Sequence, residues 1–323
     1  EEWDVSSAET MERMFAEATS FNADISLWDV SSVTDMQRMF LGARLFNGNV
    51  SAWQVGKVTS MERTFASAKS FNSDINSWDV SNVETAEKMF MSATSFNGTL
   101  AKWDVGQVVT MREMFDEATL YDDDLSGWDV SRVTSMRGTF ARASSFNGNV
   151  AGWDVANVTN MDKTFHQASA FDVPLGGWDV SRVESMLGTF DNAKSFNRDL
   201  CEWGDKFPYD KAEDVFAGSG CAFKDAPRED AKGPFCASDC RAGTPSPSAA
   251  LKGSAPPTSA PMSSPSEEEK PTPPTNATDN EEDTQASPPK TAPAPVTSRS
   301  IRLFPSPVSF FSVFCALNFL ARQ

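Results

Sequence analysis

Tryptophan recurs at Trp3, Trp28, Trp53, Trp78, Trp103, Trp128, Trp153, Trp178 and Trp203, every interval being 25 residues without insertion or deletion. Other columns keep the same step: Phe15 to Phe190, Ala18 to Ala193 and Val5 to Val180. A period this strict means that one small unit is used over and over. No single unit can bury its own Trp, Met and Phe, so neighbours must stack and share a continuous core. Like residues then lie over like residues.

One repeat, residues 21–44, suggests its own local structure. Trp28 and Val30 are two apart and share one face of an extended segment, which turns Asp29 the other way. Thr10, Asp35, Ser60, Thr85, Thr110, Ser135, Asn160 and Ser185 form a column of short acceptor side chains suited to the free amides of a helix start. Met36, Met39, Phe40 and Ala43 follow as the apolar stripe of a short amphipathic helix. Gln37, Arg38, Glu62, Arg63, Glu87 and Lys88 read as its solvated face. The expected coil is a short strand, a turn, roughly two turns of helix and a return loop anchored by Phe46 or its equivalent. Stacked strands would form a parallel sheet rising about 4.8 Å per coil, so that the coils span roughly 40 Å. A second period overlies the first: Gly48, Gly98 and Gly148 follow Asn in alternate repeats, and Gly56, Gly106 and Ala156 replace Ser31, Ser81, Ser131 and Ser181. That spacing suggests growth by duplication of paired coils.

The pattern W-D-V-S-x-V-T-x-M-x-x-M-F-x-x-A-x-x-F-N-x-D-I, nearly letter for letter from Trp28 to Ile75, resembles the surface repeat of mycoplasma lipoproteins. That repeat is grouped with BspA-like leucine-rich-repeat surface proteins. The resemblance spans residues 3–203, with Gln54, Ala86 and Tyr121-Asp122 as departures. It implies a leucine-rich-repeat-like fold displayed on a cell surface for adhesion or partner binding, and it carries no catalytic residues. The expected fold class is therefore α/β: a leucine-rich-repeat-like solenoid of eight 25-residue strand–helix coils with a parallel sheet, followed by a disordered tail.

Regularity ends after Trp203, where Asp205 stands in the Val column and Phe216 falls one residue late. The domain reading is 1–200 repeat region, 201–240 C-terminal cap, 241–300 Pro/Ser/Thr-rich stalk and 301–323 hydrophobic anchor or anchor signal. An open end of a stack exposes core and needs a cover. Cys201, Cys221, Cys236 and Cys240 appear there, after 200 residues with no Cys, and suggest two disulfides in one of three pairings. Zinc is disfavoured because no C-x-x-C pair and no nearby His accompany them. Disulfides imply an oxidising compartment. All nine Trp precede Gly204 while Pro crowds into the stretch after Arg241, a composition that cannot order itself. Residues 303–320 are apolar and fit a lipid-anchor signal or a single membrane span, the bland alternative being a disordered apolar end. Glu1-Glu2-Trp3 opens inside a repeat, so the sequence reads as a fragment or a trimmed chain and the missing leader says little.

A net charge of -17 argues against nucleic acid and anionic lipid as partners. With one His, His166, no nucleophile paired with a base and no phosphate loop, we expect no enzyme and no cofactor. Asp4, Asp29, Asp79, Asp104, Asp129, Asp154 and Asp179 form a column that repels itself unless each carboxylate caps the amide two residues on or shares calcium. The capping reading is preferred; the calcium alternative rests on Asp79, Asp104, Asp129 and Asp154. A second column, Asp24, Asp74, Asp124 and Asp199, alternates with Asn49, Thr99 and Asn149, which weakens a calcium ladder. The Asn column (Asn22, Asn47, Asn72, Asn97, Asn147, Asn197) is read as satisfying turn amides, and the Trp column as core, not a sugar platform. Glycosylation acceptors are Asn49, Asn97, Asn157 and Asn276. The candidate binding residues are the variable positions Ser32, Lys57, Asn82, Gln107, Arg132, Asn157 and Arg182. The functional expectation is a cell-surface adhesion or recognition scaffold for an extracellular protein or glycan, the alternative a structural spacer or coat component without a ligand.

Overall fold

The computed structural model describes residues 3–240. They form a stack of coils, one per repeat, closed at the C-terminal end by a disulfide-bonded cap. The strand–helix coil with a parallel sheet is not what the chain forms. Among the described residues the only helical segments are three single 3-10 turns, Cys201–Trp203, Tyr209–Lys211 and Glu229–Ala231. Strand-type pairing is confined to isolated bridges, and the α/β solenoid of the sequence reading gives way to a stack of turns.

The expected helix over residues 36–43 is a run of overlapping turns. Met39, Leu41 and Ala43 donate their amides three residues back, to the carbonyls of Met36, Arg38 and Phe40 at 3.2, 3.1 and 3.0 Å. The alternate amides of Met36, Arg38, Phe40 and Gly42 leave the coil and reach the carbonyls of Ser60, Glu62, Thr64 and Ala66 in the next one, at 3.1, 2.8, 2.9 and 2.8 Å. Arg38 and Gly42 make this possible by adopting φ of 56° and 69°, and nearly every coil has such a left-handed pair. Left-handed geometry costs roughly 1–2 kcal/mol at a non-glycine residue. Four hydrogen bonds per coil interface offset it. An eight-residue α-helix would leave half of its amides without an internal partner, and so short a helix is marginal in water. The apolar spacing could not distinguish the two. Three-residue turns, like helical turns, bring Met36, Met39, Phe40 and Ala43 to one side, and all four are fully buried.

The cap-like column does accept hydrogen bonds, over a turn instead of a helix start. Glu12, Gln37, Arg112 and Asp162 donate their amides to the side chains of Thr10, Asp35, Thr110 and Asn160 at 2.8–3.3 Å. The same column carries the seven parallel bridges, Thr10 to Asp35 through Asn160 to Ser185, one residue wide.

Two further ladders run the length of the stack. Each indole donates Nε1–H to a carbonyl 28 residues earlier, from Trp53 to Ile25 at 3.2 Å through to Trp203 and Leu175 at 3.1 Å. In the Asn column each side-chain oxygen accepts the amide of its counterpart in the next coil, as in Asn72 N–H to Asn47 Oδ1 at 2.8 Å. Asp122 and Asp172 serve equally well there, because the position needs only an acceptor. Between the ladders lies a double aromatic spine. Phe40 and Phe46 stack within their coil at 3.9 Å, and Phe40 lies over Phe65 at 5.5 Å, Phe46 over Phe71 at 6.0 Å. Trp53 through Trp178 are 3–4% exposed, so the indoles belong to the core.

The alternate-coil glycines have a steric cause. A Cβ on Gly148 would sit 1.8 Å from the Asp123 carbonyl oxygen, and on Gly48 or Gly98 it would meet the ring of Phe46 or Phe96 at 2.9 or 3.0 Å. The intervening coils place Ser73 and Asp123 at this position. Their side chains reach back to the amides of Val50 and Leu100, at 3.4 and 2.6 Å.

The cap continues the turn ladder one residue out of phase. Met186, Gly188, Phe190 and Asn192 donate to Lys211, Glu213, Val215 and Ala217, a step of 25 where the coils below use 24. Phe216 therefore falls one residue late and still covers Phe190, at 5.8 Å. The pairing, left open by the sequence, is Cys201–Cys240 and Cys221–Cys236. Phe207, Tyr209 and Phe235 meet edge to face within the cap. Residues 241–323, with the stalk, the apolar terminus and Asn276, lie outside the described residues.

Candidate functional site

The seven variable residues singled out in the sequence do form one column along the stack. Lys57, Asn82, Gln107, Arg132, Asn157 and Arg182 are exposed and Ser32 is half-buried. Much of their hydrogen-bonding capacity is spent along the column itself. Asn82 and Asn157 donate to the carbonyls of Gly56 and Ser131 at 2.8 Å, Arg182 donates to Asn157 Oδ1 at 2.6 Å, and Arg132 pairs with Gln107.

The Asp column consists of Asx turns. Asp4, Asp29, Asp79, Asp104, Asp129, Asp154 and Asp179 each accept the amide two residues on, at 3.0–3.1 Å. The serine hydroxyl and amide at the next-but-one position hold the carboxyls of Asp4, Asp29, Asp79, Asp129 and Asp179 below the usual range. Asp24, Asp74, Asp124 and Asp199 make the same turn. Among the described residues the one group of three possible metal-ligand atoms within 4.8 Å is Asp199, Cys201 and Cys240, whose sulfurs are joined in a disulfide. The four residues of the calcium alternative are not gathered into such a group.

The sequon asparagines differ in what they have left to offer. Asn49 Oδ1 accepts the Ser51 amide at 3.1 Å and hydroxyl at 2.8 Å, and Asn97 Oδ1 accepts the Asp122 amide at 3.1 Å. Asn157 uses both its amide nitrogen and its oxygen.

A second variable surface, which the sequence reading passed over, is an open groove of about 400 Å³. Arg142, Gln167 and Asn192 line it from the left-handed column, and Thr119, Ser144, Ser169 and Lys194 from the column two residues on. No carboxylate and no large apolar side chain lines this groove. Ser144 and Thr119 hydroxyls donate to carbonyls of the preceding coil at 3.3 Å. Lys194 is held by Asn192 Oδ1 and the Gly218 carbonyl at 2.7 and 2.9 Å.

Behind the groove the inner column changes character. It reads Ala16, Leu41, Ala66 and Met91 in the first four coils, then Asp116, Ala141, His166 and Asp191. Asp116 is 5% exposed, bonds Arg142 Nη2 at 2.6 Å, and leaves Oδ1 without a partner. Burial pushes its carboxyl up to about 6, against the pull of the Arg142 charge. His166 is largely covered and lies 3.0 Å from Asp191; burial lowers its basicity more than Asp191 raises it. The available signal was a second set of positions varying from coil to coil. Those positions were not weighed from sequence, where variable residues were named only in the column that runs from Ser32 to Arg182.

The geometry defines a class: a stacked short-repeat protein with a fixed aromatic interior and side chains that vary by coil on the outside. The chain belongs to the family described as Mycoplasma protein of unknown function, DUF285, whose model matches residues 1–103, 23–126 and 109–225. Its overlapping, repeated matches accord with an internally repetitive chain. No curated protein matches the sequence. Among solved structures, a crystal structure of a TLR13–ssRNA13 complex is similar over 59% of this chain and 31% of that one, at 11% identity and a TM-score of 0.26. That likeness is too slight to carry an argument.

Proposed function

We propose that this protein is a recognition scaffold of the cell surface, of the BspA-like kind, which binds an extracellular glycan, and that it is not an enzyme. The groove over residues 119–194 carries the reading: amide, hydroxyl and cationic groups converge on an open channel that four successive coils hold in register. Its shallow, polar lining suits a ligand rich in oxygen acceptors. A protein partner would call for a desolvated aromatic or aliphatic anchor site at its centre, and the groove offers none. Two disulfides support an oxidising location. The apolar residues 303–320 would supply membrane attachment through a lipid anchor or a single span.

The spacer alternative draws support from the lateral bonds of the Arg132 and Arg182 column, which hold side chains along the stack instead of presenting them. Probing a glycan array with the full chain separates the two. The recognition reading expects selective retention of a defined oligosaccharide class, abolished by Ser169→Trp, which fills the groove, and unaffected by Lys57→Ala on the other column. Absence of any selective signal would leave the spacer.

A further inference from the structure

The polar groove over residues 119–194 has a charge pattern of its own. We infer, resting on the glycan reading of that groove, that its ligand is an acidic polysaccharide in which charged and neutral sugars alternate. Two cations line it, Arg142 and Lys194, two coil steps apart, and the coil between them contributes the uncharged Gln167 and Ser169. The step between coils is 5.7 Å from the Phe140 ring to that of Phe165 and 5.5 Å from Phe165 to Phe190. One such step matches one extended pyranose unit. Anions on every second sugar of a chain laid along the groove therefore meet both cations, with a neutral sugar over Gln167 and Ser169.

The hydrogen-bonding capacity left in the groove is mostly that of donors. Asp116 holds Arg142 through Nη2, at 2.6 Å, while Nε and Nη1 have no partner among the described residues. Lys194 spends two of its three protons, on Asn192 Oδ1 and the Gly218 carbonyl. Gln167 accepts the Ser169 hydroxyl at its backbone carbonyl, at 3.4 Å, and its side-chain amide has no partner among the described residues. Cations that are anchored at one atom and free at another suit oxyanions, to which their hydrogen bonds are strongest. The other variable column differs, since Arg132 and Arg182 are engaged with Gln107 and Asn157.

The carboxylates beside the groove are occupied. Asp191 meets His166 Nδ1 at 3.0 Å and accepts the Asn192 side-chain amide at 2.7 Å, and Glu117 accepts the Ser92 hydroxyl at 2.5 Å. The net charge of -17 is spread over the whole chain. Charges more than about 8 Å away are screened at physiological salt, so a bound anion feels Arg142 and Lys194 ahead of the remote carboxylates. In the column of Arg142 the earlier coils carry Glu17, Gly42, Ser67, Ser92 and Glu117, which ties the anion site to the last three coils.

The test titrates the full chain by calorimetry with oligosaccharides of equal length. Hyaluronan carries a carboxylate on every second sugar, κ-carrageenan a sulfate on every second sugar, and chitin no charge. Binding of either acidic chain, at least about tenfold tighter than chitin, is the expected result, since one charge-assisted hydrogen bond is worth about that factor; which of the two binds identifies the anion. Lys194→Ser, and Arg142→Gln combined with Asp116→Ala, install residues that the neighbouring coils carry at the same positions, Ser169, Gln167 and Ala141, and so keep the fold. Each should weaken the acidic ligand about tenfold, and Lys57→Ala should not. Chitin bound as tightly as the acidic chains overturns the inference and leaves glycan recognition standing, whereas no binding of any glycan removes both. Poly-glutamate bound as tightly as the acidic glycans, or groove variants that bind like the parent, also overturn it.

Discussion

Tyr121 occupies a position held by Phe in every other coil of its column, and it carries a defect with it. Its ring fits: it stacks on Phe115 at 4.1 Å, Phe96 at 5.7 Å and Phe146 at 6.0 Å. The side chain is 0% exposed, and its hydroxyl has no hydrogen-bond partner. A buried, unpaired hydroxyl costs about 1–3 kcal/mol in lost hydration. Tyr121→Phe removes that cost and keeps the ring, so stability should rise by about 1–3 kcal/mol. For a folded region of this size the midpoint of thermal unfolding should rise by roughly 2–10 °C. Scanning calorimetry and urea titration at pH 7 read the change. A second readout is alkaline. Burial, with Asp123 and Asp122 nearby, raises the Tyr121 phenol well above its usual value. The folded state then keeps the proton that the unfolded chain loses above about pH 10. Stability is fully present below that pH and falls as pH rises beyond it, and Tyr121→Phe should flatten the fall. A variant that unfolds 1 kcal/mol or more below the parent would mean that the hydroxyl holds a partner, and the reasoning would fail.

Glycine substitutions divide by position: Gly148→Ala drives a methyl into the Asp123 carbonyl and should cost about 1–3 kcal/mol or more, whereas at Gly152 a Cβ meets nothing within 4 Å and Ala should be neutral, both by urea unfolding. Equal effects at the two sites would refute the close-approach explanation of the alternate glycines. The raised Asp116 carboxyl makes stability fall as pH rises from about 4 through about 6, by up to roughly 3 kcal/mol. Asp116→Asn should remove that slope in unfolding curves taken between those values; an unchanged slope assigns it elsewhere. The Asx-turn carboxylates act in the opposite sense, since their lowered values stabilise the fold above about pH 4 and lose that effect as pH falls. Reducing Cys201–Cys240 and Cys221–Cys236 should destabilise the cap by about 2–5 kcal/mol and expose Phe207, Tyr209 and Phe235 first, which proteolysis near residue 220 would detect. Cleavage starting among the central coils instead would contradict it.

The aromatic interior was legible from sequence because burial follows composition at fixed phase: nothing but stacking hides Trp53, Phe65 and Met61 together. The column from Thr10 to Ser185 was legible as a set of side-chain acceptors, since an oxygen two residues before an unpaired amide works in a turn as in a helix. The backbone itself was not. Apolar spacings of three and four arise from overlapping turns as readily as from a helix, and the residues that decide, Arg38, Arg63 and Lys88 at φ near 56°, are not types that advertise a left-handed conformation. Gly42, Gly138, Gly188 and Asn192 in those columns were the available clue. The groove was not legible for a related reason: the variable positions were taken from the column after Trp and Val, and the column of Arg142, Gln167 and Asn192 went unweighed. Isolated bridges at one residue per coil likewise fall short of the sheet that alternating Trp28 and Val30 suggested.

The central claim is that alternate amides in residues 36–43 bond between coils. Scalar couplings transmitted across hydrogen bonds, measured on the isotope-labelled chain, address it directly. Arg38 and Phe40 amides should couple to the carbonyl carbons of Glu62 and Thr64, and the Met39 amide to that of Met36. Coupling of the Phe40 amide to Met36, four residues back in its own coil, would restore the helix and contradict the stack described above.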